Sequence, residues 1–396
     1  MRILAAWDNE AETELISLYL GVDGNDVTII TSPAEFRAAV ESGPPADIAL
    51  MTIDLPDPES GFKLFELLRE RHPELPVVGA CQPSDVFRVV RFMAHGMSAY
   101  VTRDPACNYM FMLRVILAST LDAVRAAHEK ELTQKLREEV ESVRRIQESV
   151  LPRNLVAPRG YRICARYEPA QIRVVGGHPV TMAGGDYYDV FTLPNKDVVL
   201  MVGDATGHGM KACLSIMTLH TLVNLMRRRE YNDTKHFVEE INKGLCEQSI
   251  VTDKGGFITL LYCILNAEAQ TLQWSAAGHH PPLLQNLTTG SIAALAGQEA
   301  GGPPLAVDEE SKYETYTCTL PDDCRLLLHT DGLEEAFPEG NDQHHFGLNG
   351  IKKTLSEFAD RPLEEALARL FAASDEFTQG SGRQDDTSII LLELRR

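Results

Sequence analysis

No cysteine pair in this sequence has C-x-x-C spacing, and none of its 8 cysteines has a histidine at zinc-finger distance. That excludes a zinc ribbon or finger legible from spacing. The cysteines read instead as reduced, mostly buried small hydrophobes of a cytoplasmic protein. Basic charge is also scarce. Lys and Arg number 37 against 57 Asp and Glu, a formal charge of −20. Nonspecific binding to nucleic acid or to an anionic membrane needs the opposite balance, so neither is expected as a partner. No apolar run reaches the length of a bilayer span, and the N-terminal stretch 1–14 turns acidic too early for a secretory signal. There is no nucleotide-binding loop, internal repeat or low-complexity tract.

With 396 residues, 44% of them hydrophobic and 24% charged, the chain fits two or three globular domains. Residues 1–120 alternate short apolar runs with amphipathic stretches. The spacing predicts strands near 2–7, 27–31, 48–53, 77–81 and 99–102, with helices between them and after the last. Five βα units of this size form a parallel sheet covered on both faces, the α/β flavodoxin-like arrangement. Residues 121–152 differ: glycine is absent, and proline enters only at Pro152, which ends the run. Leu132, Leu136, Val140, Val143, Ile146 and Val150 recur in steps of three and four on a charged background. That narrow stripe predicts a long linker helix, paired as a coiled coil in a homodimer; a single helix laid on one domain is the alternative. Residues 153–396 are strand-rich with hairpin spacing and four interrupting helices, which predicts an α+β sandwich of antiparallel sheets flanked by helices.

Four aspartates carry the chemistry of this last region: Asp186 in GGDYYD, Asp204 in VGDATGHG, Asp331 in HTDGLEEA and Asp385 in QDDTSIILLEL. Each alone reads as a turn residue beside glycine or at a strand end. As a set, carboxylates drawn from distant strand ends suit hard, oxygen-preferring divalent cations. Two such cations suggest phosphate-ester hydrolysis. The glycine-rich turn after Asp204 opens a helix, whose N-terminus favours an anion such as phosphate.

These motifs, together with FITLLYCILNAEAQTLQWSAAGHHPPLL and FGLNG, occur in an order that resembles the bacterial PPM-type serine/threonine phosphatases related to protein phosphatase 2C. The branch resembled is that of the stage II sporulation phosphatase and the stress-sigma-factor regulators. The resemblance covers about residues 140–396, and RIQESVLP is similar to the switch helix leading into such domains. It implies a protein-serine/threonine phosphatase with two Mn²⁺ or Mg²⁺ ions per active site. Asp204 matches the bridging ligand, with the Ala205 carbonyl beside it; Asp186 matches the acid of the second ion, and Asp331 and Asp385 the other carboxylates of the first. Asp204 and Asp186 are thereby the catalytic centre. A water between the ions would attack phosphorus, so no protein nucleophile is required. The implied substrate is a phosphorylated protein, the antagonist of an anti-sigma factor. His208 is weighed as a leaving-group acid and read instead as a turn residue; His279 and His280 are weighed as site-lining. Residues 171–182 make the segment before GGD longer than is usual for this branch.

The N-terminal βα pattern resembles a response-regulator receiver domain with its chemistry removed. Trp7 and Asp8 stand where such domains carry an acid pair, Thr52 where the phosphoacceptor aspartate belongs, Cys81 at the switch Thr and Arg103 at the Lys. Asp54, two residues past Thr52, could face the same way. The expectation is a regulatory, non-phosphorylatable receiver-like domain at 1–120, a dimerising switch helix at 121–152 and a phosphatase domain at 153–396. Two rivals are kept: a catalytically silent scaffold that only docks a partner, and a hydrolase of small phosphate esters.

Overall fold

The computed structural model describes residues 1–22, 24–152, 154–173, 179–181, 184–207, 209–227, 229, 233–296 and 301–395, with backbone only for 171–173 and 179–181. The chain divides into two compact units, Met1–Lys135 and Leu136–Arg396.

The first unit follows the βα alternation of the sequence. Its elements are β1 (Arg2–Ala6), α1 (Glu10–Gly21), β2 (Asp26–Ile30), α2 (Pro33–Ser42), β3 (Ile48–Thr52), α3 (Pro58–Arg71), β4 (Val77–Cys81), α4 (Val86–Ala94), β5 (Ala99–Thr102) and the start of α5 (Tyr109–Val150). All strand pairs are parallel, in the order β2-β1-β3-β4-β5. This is the flavodoxin-like doubly wound order. Central strands β3 and β4 are buried throughout, as strands covered on both faces must be. One face packs Phe36, Phe62, Phe65, Leu68 and Phe92; the other packs Ile16, Leu20, Leu113, Leu117 and Leu121. Helix starts are set locally. Ser32 and Asp57 accept backbone N–H bonds at their helix N-termini, and Pro33 and Pro58 follow them.

Helix α5 runs 42 residues without a break, since no glycine or proline interrupts it. The sequence reading allowed the linker helix to continue the one beginning at Tyr109, and it does. The boundary between the compact units falls inside it.

The second unit adds β6 (Tyr161–Glu168), β7 (Gln171–Arg173), β8 (Pro179–Thr181), β9 (Asp186–Thr192), β10 (Val198–Ala205), α6 (Met210–Met226), α7 (Thr234–Cys246), α8 (Ser249–Thr252), β11 (Ile258–Asn266), β12 (Thr271–Ala277), β13 (Leu283–Asn286), β14 (Ile292–Ala294), β15 (Tyr316–Thr319), β16 (Cys324–His329), α9 (Gly347–Glu357), α10 (Leu363–Phe377) and β17 (Thr387–Leu394). Two five-stranded antiparallel sheets form, β15-β12-β11-β10-β9 and β14-β13-β16-β17-β6, and β7 and β8 make a separate hairpin. Strand alternation divides the core. Along β10, Val198, Leu200 and Val202 enter the layer between the sheets, with Trp274, Leu326, Ile390 and Leu392. Val199 and Met201 face outward under α6 and α7, against Ile216, Leu219 and Phe237. On the second sheet Ile389 and Leu391 likewise pack under α9 and α10. The architecture is therefore the helix-flanked antiparallel sandwich expected, with the β7–β8 hairpin (where the sequence suggested a loop), β14 and α8 as short additions that the sequence did not signal.

Candidate active site

The two sheets bring the four aspartates to one edge. Asp186 opens β9 and Asp204 is the penultimate residue of β10; they are direct partners in the antiparallel ladder. Directly opposed residues project from the same face, so the two carboxylates are neighbours. The sequence placed Asp204 after its strand. It lies inside, because β10 stays paired with β9 through Asp204 and with β11 through Ala205. Asp331 begins the 3-10 turn Asp331–Leu333 just beyond β16, and Asp385 lies two residues before β17. These strands pair antiparallel with His329 opposite Ile389, so the end of one meets the start of the other. A hydrogen bond ties the sheets together there. Thr330 Oγ1 donates to Asp186 Oδ2 at 2.7 Å and accepts the Ser388 N–H at 2.9 Å.

Glycine in GGD is required by space. A side chain on Gly184 would run into the Asp386 carboxylate and the Tyr167 hydroxyl. A Cβ on Gly185 would stand 2.7 Å from the Ala205 carbonyl oxygen, 3.0 Å from Asp204 Oδ1 and 3.1 Å from the Gly207 oxygen. The Ala205 carbonyl and the Asp204 carboxylate thus open on the same small space.

Burial and mutual repulsion make this edge hostile to its own charge. Asp186 is pushed well above the usual carboxylate range, by burial first and by Asp386 next. Burial, then Asp186, Asp331, Asp385 and Asp386, raise Asp204 to about 11. Burial raises Asp331, and Asp385 reaches about 7, chiefly by burial. Asp331 Oδ1 is buried with no hydrogen-bond partner. As the side chains stand, no three His, Cys, Asp or Glu among the described residues are set to hold an ion. One oxygen of Asp186 is taken by Thr330, and one of Asp385 by the Asp386 N–H at 2.8 Å. The donor chemistry nevertheless fits divalent cations: an all-oxygen set with an orphaned buried oxygen and crowded, destabilised carboxylates.

Three residues that the sequence reading passed over organise this edge. Asp386, fully buried, accepts the N–H of Gly185 at 2.6 Å, the N–H of Ala170 at 2.9 Å and the Tyr167 hydroxyl at 3.3 Å. It is a structural acid beside the ligand candidate Asp385. Gln147, on the last turns of α5, accepts the Gly184 N–H at 2.8 Å and donates to the Asp186 carbonyl at 3.2 Å. Its signal in the sequence was a lone amide between Val143, Ile146 and Val150 on the apolar stripe. Thr330 carried no signal beyond its place before Asp331.

Histidines line the neighbourhood. His329 is buried, donates from Nδ1 to the Thr330 carbonyl (3.1 Å) and sits 3.3 Å from Glu334. Burial drives His329 down to about 4 and His279 to about 3, so both are neutral. His280 is exposed and its ring stacks over His329 with centroids 6.2 Å apart. His208 lies outside the described residues. So do 174–178 and 182 of the long segment before GGD, whose described backbone is the β7–β8 hairpin.

In the first unit, the residues singled out as a degenerate receiver pocket gather at the C-terminal ends of the parallel strands. Trp7 follows β1, Thr52 ends β3, Cys81 ends β4 and Arg103 follows β5. All four are buried. Arg103 donates to Asp8 Oδ1 at 2.7 Å and to Glu12 Oε2 at 2.9 Å. Thr52 Oγ1 has no hydrogen-bond partner. Asp54 does face this cluster: it pairs with Arg88 at 3.6 Å and is raised by burial first and by Asp85 and Asp8.

Residues 194–395 match the family described as Stage II sporulation protein E (SpoIIE). The matched stretch contains Asp204, Asp331 and Asp385 and begins just after Asp186. The chain is 22% identical over 213 residues to phosphoserine phosphatase RsbP of Bacillus subtilis (strain 168), covering 53% of this chain and 49% of that one. It is 24% identical over 241 residues to protein IcfG of Synechocystis sp., covering 55% and 36%. It therefore spans about half or less of the length of these relatives. Among solved structures, the SiaA-PP2C domain of Pseudomonas aeruginosa is similar in fold, with a TM-score of 0.52 and 19% identity over 68% of this chain and 99% of that one. With just over half of its length matched, including three of the four edge aspartates, the chain belongs to the stage II sporulation protein E (SpoIIE) family.

Proposed function

We propose that this chain is a divalent-cation-dependent protein phosphatase acting on phosphoserine or phosphothreonine of a regulatory protein. The observation that carries the reading is the convergence of Asp186, Asp204, Asp331 and Asp385 from both sheets on one edge. These four and the Ala205 carbonyl would hold two Mg²⁺ or Mn²⁺ ions. Bound there, the ions would neutralise the carboxylates, polarise the phosphoryl oxygens and activate a water. The protein's own part is positioning. The ladder fixes Asp186 against Asp204, Thr330 orients Asp186, and Asp386 holds the Gly185 backbone close to both. The similarity to a phosphatase named for phosphoserine supports the substrate class. A phosphorylated anti-sigma-factor antagonist is the substrate this branch implies.

The first unit is read as a receiver-like regulator that cannot take a phosphoryl group, because Thr52 ends β3 where an aspartate is needed. Its output is α5. Leu132, Leu136 and Ile146 are exposed on that helix, which supports pairing with a second copy. Gln147 supports a route from the helix to the site, since it holds the backbone on both sides of the GGD turn.

Phosphate release from a phosphoseryl protein tests this. Turnover is expected with Mn²⁺ or Mg²⁺, none with a chelator, and a loss of at least a hundredfold in Asp204→Asn. Equal turnover by the variant, or turnover in chelator, would remove the carboxylate edge from the chemistry.

A further inference from the structure

The degenerate pocket of the first unit is built around one carboxylate that the proposed function does not use. Glu12 lies in the first turn of α1. Its Oε2 accepts from the Trp7 indole at 2.9 Å, from Arg103 at 2.9 Å and from the Tyr109 hydroxyl at 2.6 Å. Its Oε1 accepts from Asn9 at 3.1 Å. An ionised carboxylate offers about four acceptor positions. Here four donors converge on it, one from each of four places: the end of β1, the cap of α1, the end of β5 and the first residue of α5. The rings of Trp7 and Tyr109 stack at 6.3 Å, and the Arg103 guanidinium lies 4.8 Å from the Trp7 ring centre. Burial opposes the charge on Glu12, yet the bonds from Tyr109 and Trp7 and the positive Arg103 hold it below the usual range. Arg103 also binds Asp8. The pocket thus contains its own cation between two acids.

We propose that Glu12 is a latch that fastens the first turns of α5 to the pocket, with Arg103 as a built-in cation in place of any bound ion or phosphoryl group. Tyr109 and Met110 are themselves buried, and deeper along the helix Leu113, Leu117 and Leu121 are anchored in the same core. The latch therefore governs how the beginning of the helix is held rather than the existence of the helix. Its consequence for catalysis rests on the regulatory reading above; its geometry does not.

Hydrogen exchange on the full-length chain separates the two. Glu12→Gln keeps the size but removes the charge. Tyr109→Phe keeps the ring stack and removes one bond, and serves if the first variant does not fold. Amides at 109–117 are expected to exchange about tenfold faster in Tyr109→Phe, and faster still in Glu12→Gln, with Ile48–Thr52 unchanged. Millimolar Mg²⁺ is expected to leave wild-type exchange at 109–117 unaltered. Unchanged exchange in both variants would overturn the latch. So would equal loosening of Ile48–Thr52, which marks general destabilisation, or Mg²⁺-dependent exchange in wild type. Phosphate release by the same samples is the distinguishing readout. A loosened helix with unaltered turnover keeps the latch and removes the regulatory reading.

Discussion

Replacing Asp204 by asparagine should stabilise the cation-free C-terminal unit at neutral pH while it abolishes turnover. The Asp204 carboxyl is raised from its ordinary 3.8 to about 11, by burial first and then by its acidic neighbours. At pH 7 the unfolded chain has released this proton and the folded chain holds it. Each unit between the ordinary value and the solution pH is about 1.4 kcal/mol, so the penalty at pH 7 is at most about 4 kcal/mol. Asparagine needs no proton and removes that penalty. The sign fixes the pH window. A raised carboxyl contributes its full stability below 3.8 and loses it as pH rises toward the folded value. The advantage of asparagine is therefore nil near pH 4 and grows through pH 7. The chain has 2 tryptophans, Trp7 and Trp274, one in each unit. Urea unfolding in chelator, followed by fluorescence of buried Trp274 in a Trp7→Phe background, reads the second unit alone. Mn²⁺ should reverse the order, because it binds the folded wild type more tightly than the variant. An Asp204→Asn protein no more stable than wild type at pH 7 in chelator would refute the repulsion argument.

Other residues of this unit give further tests. His329, lowered to about 4 by burial from an ordinary 6.5, favours folding fully above 6.5 and loses that contribution as pH falls through 4. Between those limits wild type should lose about 3 kcal/mol more than His329→Gln in the same urea assay. Thr330→Val keeps the shape but strips the donor to Asp186 and the acceptor for Ser388 N–H. It should cost about 1–3 kcal/mol by urea unfolding and reduce phosphate release roughly tenfold. Gln147→Ala leaves the buried Gly184 N–H and Asp186 carbonyl without their partner. A loss of about 1–3 kcal/mol is expected, with faster exchange of the Gly184 amide by NMR. Arg325→Met breaks a buried pair with Glu393, made at 2.7 Å, and should cost about 3–5 kcal/mol by calorimetry.

The layer order of both units was legible because strand period and helix period differ along the sequence. Val198–Val202 alternates between two cores, and Leu113, Leu117 and Leu121 recur on one helix face. What escaped was decided by contacts distant in sequence. Asp385 and Asp386 are equivalent as letters; only the fold turns Asp386 inward to the Gly185 and Ala170 amides. Asp204 reads as a strand terminator by propensity, yet ladder bonds on both sides keep it in β10. Gln147 reads as a polar interruption of a dimer seam, whereas it is buried against the GGD turn. Glu12 reads as an ordinary first-turn acid. Asn9 and Trp7 are local donors, but Arg103 and Tyr109 lie 91 and 97 residues away, and no local pattern announces those two.

The proposed two-cation hydrolytic edge draws its carboxylates from both sheets and is open to a direct count of bound ions. Equilibrium dialysis of the full-length chain against Mn²⁺ at pH 7.5 or so tests it most directly. About two ions per chain are expected for wild type and fewer for Asp331→Asn, whose buried oxygen has no other partner. No retained Mn²⁺ in wild type, or the same count in the variant, would contradict it.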